Sequence, residues 1–236
     1  MTMDNFKTTE PAGKPETADT IHELLRAVKA DLRAMMNGVA SASMREKGLA
    51  YKVIFGVELP RLIEMAARLP HTAALAAALW KEDIRECRLL APMVQPAEAF
   101  PPALADEWVA SMHYPEEAQV CSMQLFSRLP YASQKAFEWM AQEDPMRQLC
   151  GFSTLGRLLG SGARPSERDA HELLDQAEAA LKGPHAAVSR AAGGMLMKYS
   201  DLGRQEERQV EALLLRISRE CPSNAPENPG NGPASI

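Results

Sequence analysis

The sequence predicts an all-α protein, an α-solenoid of stacked helical pairs, and three observations carry that expectation. Helix formers such as alanine, leucine, methionine, glutamate and arginine dominate the composition. Runs of Val, Ile and Thr that would seed strands are absent, and aromatic residues make up only 6% of the chain. One unit also recurs: a short helix, a tight polar turn, then a longer helix whose first turn carries arginine or small residues. Its clearest instance is Leu79-Trp80-Lys81-Glu82-Asp83-Ile84-Arg85-Glu86-Cys87-Arg88, and later ones begin at Pro145-Met146-Arg147 and Pro184-His185-Ala186. Such pairs bury their apolar faces only by stacking on neighbours, and a solenoid does this; a compact bundle is the alternative.

Residues 1–17 are polar, carry Pro11 and Pro15, and read as a disordered segment. Asp19 or Thr20 can cap a helix to about Asn37, with Ile21, Leu24, Leu25, Val28, Leu32 and Met35 at helical spacing. Met44 to Gly48 reads as a short helix closed by glycine, and Leu49 to Phe55 as a packed connector. Pro60 sits in the first turn of the next helix, whose apolar face is Leu62, Ile63, Ala66 and Leu69 and which Pro70 stops. Thr72–Trp80 and Ile84–Val94 form the clearest pair, and prolines 96, 101 and 102 punctuate the chain before a helix from Ala103 to Met112.

Beyond His113-Tyr114-Pro115, one helix spans Glu116 to Leu129, and Tyr131–Gln142 with Met146–Leu159 make another pair. Ser166 caps a long helix to Lys182, followed by Ala186–Tyr199 and a last helix from about Gln205 to Glu220. The organisation is thus a helical-repeat domain over 18–220, with roughly eleven helices and no sheet. The stretch 221–236, rich in Pro, Asn and Gly, reads as a disordered tail.

A net charge of −5 does not point to nucleic acid by itself, although a basic cleft on an acidic body still attracts phosphate locally. Cys87, Cys121, Cys150 and Cys221 lack C-x-x-C spacing, which argues against a disulfide framework or zinc site; the first three sit in apolar helical context as buried thiols. Histidines 22, 71, 113, 171 and 185 have no ligand spacing, so neither metal nor cofactor is expected. Gly160-Ser161-Gly162 lacks the lysine of a phosphate-binding P-loop. With no signal-type or membrane-spanning apolar run, the cytoplasm is the expected location, without a membrane partner. Trp80, Trp108 and Trp139 read as core.

Gly56-Val57-x-x-Pro60-x-Leu62 precedes Leu79-Trp80 and Arg85-Glu86-x-Arg88-x-Leu90-Ala91, and a third segment is Val188-Ser189-Arg190-Ala191-Ala192-Gly193, continued by Leu196 and Tyr199. In order and separation these segments resemble the AlkD-like family of DNA alkylation repair proteins, over about residues 20 to 220. The resemblance implies HEAT-like repeats in a C-shaped single domain, with the second helices of the pairs lining a basic cleft for duplex DNA. Active members are glycosylases that release cationic N3- or N7-alkylated purines. That chemistry needs aromatic faces for the cation and a carboxylate to stabilise the sugar and position water.

The resemblance also locates the catalytic positions. Where the family carries tryptophan after the glycine and arginine three residues on, this chain has Gly194 and Met197. The family's Trp-Asp signature falls near Ser111–Gln119, where Tyr114 could supply the aromatic group and Glu116 or Glu117 the carboxylate. Both glutamates also open a helix, a position that the helix dipole favours without any catalysis. Arg45, Lys47, Lys52, Arg85, Arg88, Arg147, Arg190 and Lys198 fall on or near the cleft segments as candidate phosphate contacts. The alternative is that they pair with acidic residues on solvated faces. Two functions follow: a DNA alkylation repair-type protein holding duplex DNA, alkylated when it acts as a glycosylase, or a non-catalytic scaffold for DNA structure or a protein partner.

Overall fold

The computed structural model describes residues 17–220, and within them the chain is all-helical: twelve α-helices, two short 3-10 turns and no named strand. The segments expected to be disordered lie outside these residues, apart from Thr17. Its side chain accepts from the Thr20 backbone N–H and caps the first helix. Among the described residues no helix is long and apolar enough to cross a membrane. Within the span 18–220, contacts cluster into two compact units that meet in sequence at Pro101 and Pro102.

The first unit holds α1 (Ala18–Ala34), α2 (Gly38–Glu46), α3 (Leu59–Ala66), α4 (Ala73–Trp80) and α5 (Arg85–Val94). Its core is α5, buried along its whole length and packed on α3 and α4. The connector after α2 is seated by a single parallel bridge between Val53 and Ile84. There Arg85 N–H, otherwise an orphan of the helix N-terminus, donates to Val53 C=O at 3.1 Å. The expected face of α3 changes in one place: Met65 is buried, while Ile63 is 42% exposed.

The second unit holds α6 (Pro102–Ala110), α7 (Pro115–Gln124), α8 (Ala132–Met140), α9 (Pro145–Gly160), α10 (Glu167–Lys182), α11 (Ala186–Ser200) and α12 (Arg204–Glu220). Helix α9 is its axis and packs against α6, α7, α8 and α11. Gly151 allows the closest of these approaches, because a Cβ there would lie 2.6 Å from Ala136 C=O and 2.6 Å from Met140 Cγ. The helix expected to run unbroken from Glu116 to Leu129 instead ends at Gln124. Leu125 turns out of helical geometry, and a 3-10 turn follows at Phe126–Arg128. Packing imposes the break: Leu125 and Phe126 are both fully buried, and the Phe126 ring meets Trp139 at 5.0 Å. Trp80, Trp108 and Trp139 are all buried, as are Cys87, Cys121 and Cys150.

Candidate functional site

The segments that carry the sequence resemblance in the first unit converge on one buried carboxylate. Gly56 takes a left-handed conformation (φ 77°), which favours glycine, and an added Cβ would meet Asn37 C=O at 2.4 Å. This turn aims three successive backbone N–H groups at Glu86: Phe55 donates to Oε2 at 3.0 Å, and Gly56 and Val57 donate to Oε1 at 2.9 and 3.2 Å. Arg85 completes the cluster, donating from one guanidinium nitrogen to Glu86 Oε1 at 3.2 Å and to Val57 C=O at 3.1 Å. Arg88 donates to Trp80 C=O and lies over the Trp80 ring, 4.1 Å from its centroid. Arg85 and Arg88 are 7% and 9% exposed. Both were expected to face phosphates; the structure places them inside, because a buried carboxylate and orphan carbonyls need their donors.

Around the α6–α7 corner the carboxylates are likewise occupied. Glu117 is fully buried and accepts from the His113 and Tyr114 backbone N–H groups at 2.7 and 3.3 Å, closing the N-terminus of α7. Tyr114, half-buried at the N-cap, sets its ring edge-on to His113 at 6.4 Å, and Glu116 is half-buried in the first turn. Asp106 accepts from Trp139 Nε1 and Lys135 Nζ, each at 2.8 Å, and pairs with Arg147 at 3.7 Å. Desolvation works to raise its pKa. The hydrogen bonds from Lys135 and Trp139, with the charges of Lys135 and Arg147, together outweigh that and hold the carboxyl below the usual range. Arg147 is thus half-buried and paired rather than open to a ligand.

The cavity that stands out lies in the second unit, between α9, α11, Gln119 of α7 and the 3-10 turn, with a volume of about 800 Å³. Helical spacing places Arg190, Gly194 and Lys198 in one row on α11. Opposite them α9 brings Ser153, Gly156, Arg157 and Gly160, and the 3-10 turn contributes Arg128. Buried Phe152 and Met195 form an apolar floor. Arg128, Arg157 and Lys198 give the lining three cationic side chains, and among the described residues no carboxylate joins them. Lys198 pairs with Asp201 at 3.2 Å in an exposed contact, the kind of surface pair that costs little to exchange. Chemically, this is a groove for an anion that carries an apolar or aromatic body.

Of the cations named from sequence, Lys198 lines this groove, and Arg190 lies exposed two turns before it on the same row of α11. Arg45, Lys47 and Lys52 lie around the end of α2 and its connector in the first unit, where Arg45 also donates to Tyr51 C=O at 3.2 Å. Arg128 and Arg157 escaped the sequence reading. Glycines at i and i+4 in α9 (Gly156 and Gly160), across the groove from Gly194 in α11, were the signal that could have revealed them. Close packing does not explain Gly194, because a Cβ there would meet nothing within 4 Å.

A family model described as DNA alkylation repair enzyme matches residues 28–218. Among solved structures, the chain is similar to a protein of "a new family of proteins related to the HEAT-like repeat DNA glycosylases with affinity for branched DNA structures". The TM-score is 0.70 at 18% identity, over 83% of this chain and 82% of that one. At that identity the likeness establishes the fold, an all-helical architecture similar to HEAT-like repeats. No curated protein matches.

Proposed function

The chain belongs to the DNA alkylation repair enzyme family, and from that premise we propose that it grips DNA by its phosphates in the α9–α11 groove without excising a base. The observation that carries this reading is the groove's lining of Arg128, Arg157 and Lys198 without a facing carboxylate. Arg190, exposed on the same row of α11, extends the cationic edge. Such contacts give affinity and register with little sequence preference. The structural neighbour's affinity for branched DNA supports a DNA target that departs from the plain duplex.

Base excision has less support. Gly194 and Met197 stand where the family's tryptophan and arginine are expected, and Glu117 spends its carboxylate on backbone N–H groups. Beside Tyr114 and Glu116, that removes the second aromatic face and the buried carboxylate that a developing sugar cation needs. A scaffold for a protein partner is the second reading, favoured by the exposed Met197, Leu214 and Leu215 on α11 and α12.

The test measures fluorescence anisotropy of the full chain with a plain duplex and a four-way junction, alongside release of base from duplex containing 7-methylguanine. Salt-sensitive binding with no release above the protein-free rate is expected. Absence of binding at low salt would overturn the DNA reading, and release of 7-methylguanine would overturn its non-catalytic part.

A further inference from the structure

We propose that the α9–α11 groove receives a single unpaired nucleotide of DNA, its base against the apolar floor and its phosphates on the cationic rim. This inference rests on the DNA-binding reading and adds what the groove itself selects. A surface that only tracks a duplex backbone needs cations and no depth. Here about 800 Å³ opens among the helices, within the range of pockets that enclose a small ligand.

The pocket is kept open at a cost in helix propensity. Gly194 lies in the interior of α11, where glycine is a poor residue, yet nothing occupies the space that a side chain would fill. Gly156 and Gly160 sit across from it, with Met195 Cα and Lys198 Cδ each 3.4 Å from where their Cβ atoms would be. Gly156, Gly160, Ala191 and Gly194 give a base a flat uncharged surface, with Phe152 and Met195 buried directly beneath it. Above are Arg128, Arg157 and Lys198, which suit a phosphodiester on either side of it. Ser153 and Gln119 offer neutral hydrogen-bonding groups at the wall, able to meet the edge of any base. The combination of cationic rim and apolar floor is the pattern that binds single strands without sequence preference.

Paired bases are stacked in the duplex and cannot enter, so the groove distinguishes a flap from plain duplex by the unpaired nucleotide that the flap carries. The deciding experiment compares the full chain with its Gly194→Trp variant on a plain duplex, on the same duplex with a short thymine flap, and on a thymine oligonucleotide. A 2-aminopurine at the first unpaired position reports its surroundings in wild type. Wild type should prefer the flap roughly tenfold or more, the scale of one base taken out of water. It should also alter the 2-aminopurine emission. The tryptophan variant, checked for folding by circular dichroism, should lose the preference, read as the ratio of its flap affinity to its own duplex affinity.

Equal affinity for flap and duplex in wild type, or unchanged 2-aminopurine emission on saturation, would overturn the pocket assignment while leaving backbone binding intact. So would a folded variant that retains the preference. If neither duplex nor flap binds, the DNA reading itself fails.

Discussion

Replacing Glu86 by glutamine is expected to cost about 3–5 kcal/mol of folding stability, the range for removing one partner of a buried charge pair. The geometry sets the reason. Oε1 receives Gly56 N–H, Val57 N–H and Arg85, while Oε2 receives Phe55 N–H. Glutamine retains one acceptor oxygen. In its better orientation that oxygen keeps the three donors on Oε1 and turns its NH2 toward Phe55 N–H, so two donors face each other in a site of 0% exposure. Arg85, 7% exposed, is then deprived of the Glu86 charge. A chain of this length shifts its melting temperature by roughly 2–4 °C per kcal/mol, so a fall of about 6–20 °C is expected. Thermal melts and urea titrations followed by far-ultraviolet circular dichroism measure it. A loss below about 1 kcal/mol, close to the range of an ordinary surface change, would refute the argument that Glu86 organises this loop.

Two glycines of the second unit should respond in opposite directions. Gly151→Ala, whose Cβ would crowd Ala136 C=O and Met140, should destabilise by about 1–3 kcal/mol in urea. Gly194→Ala, with open space around its Cβ, should stabilise by about 0.5–1 kcal/mol in the same titration. Because the folded Asp106 carboxyl is held below its unfolded value, its contribution is present above the ordinary aspartate value and is lost as pH falls through the depressed one. Asp106→Asn should therefore flatten the acid limb of the stability profile measured by urea midpoints; an unchanged limb would contradict the assignment. Burial pushes the Cys87 thiol up to about 12, with Glu82 adding to the effect, and raises Cys150 as well. Both should react with a disulfide reagent at pH 8 only after unfolding, as thiol titration with and without urea would register.

Helix positions were legible because capping and proline chemistry act locally. Ser166 caps α10 by accepting from Asp169 N–H, Asp144 caps α9 by accepting from Arg147 N–H, and Thr72 caps α4 by accepting from Leu75 N–H. The break at Leu125 was not legible, since no glycine or proline marks it and the cause is the distant Trp139. The recurring arginines form a pattern, yet sequence does not distinguish an arginine that supports a loop from one that meets a ligand. In α5 the two arginines face inward to Glu86 and Trp80. In α11 the helical row of Arg190 and Lys198 faces outward, and Arg128 and Arg157 join the groove only through folding. Glu117 shows the same ambiguity for acids: a carboxylate at the third position of a helix serves the backbone whether or not it lies near a site.

The most direct test of the account is the salt dependence of DNA affinity for wild type against the Arg128→Ala, Arg157→Ala, Lys198→Ala triple variant. Taking one cation away from a phosphate should reduce the slope of log affinity against log salt by roughly 0.9 on a duplex, with folding stability within about 0.5 kcal/mol of wild type. A combined fall approaching three such steps is the expected result. An unchanged slope in the folded variant would contradict the central claim that this groove holds the phosphates.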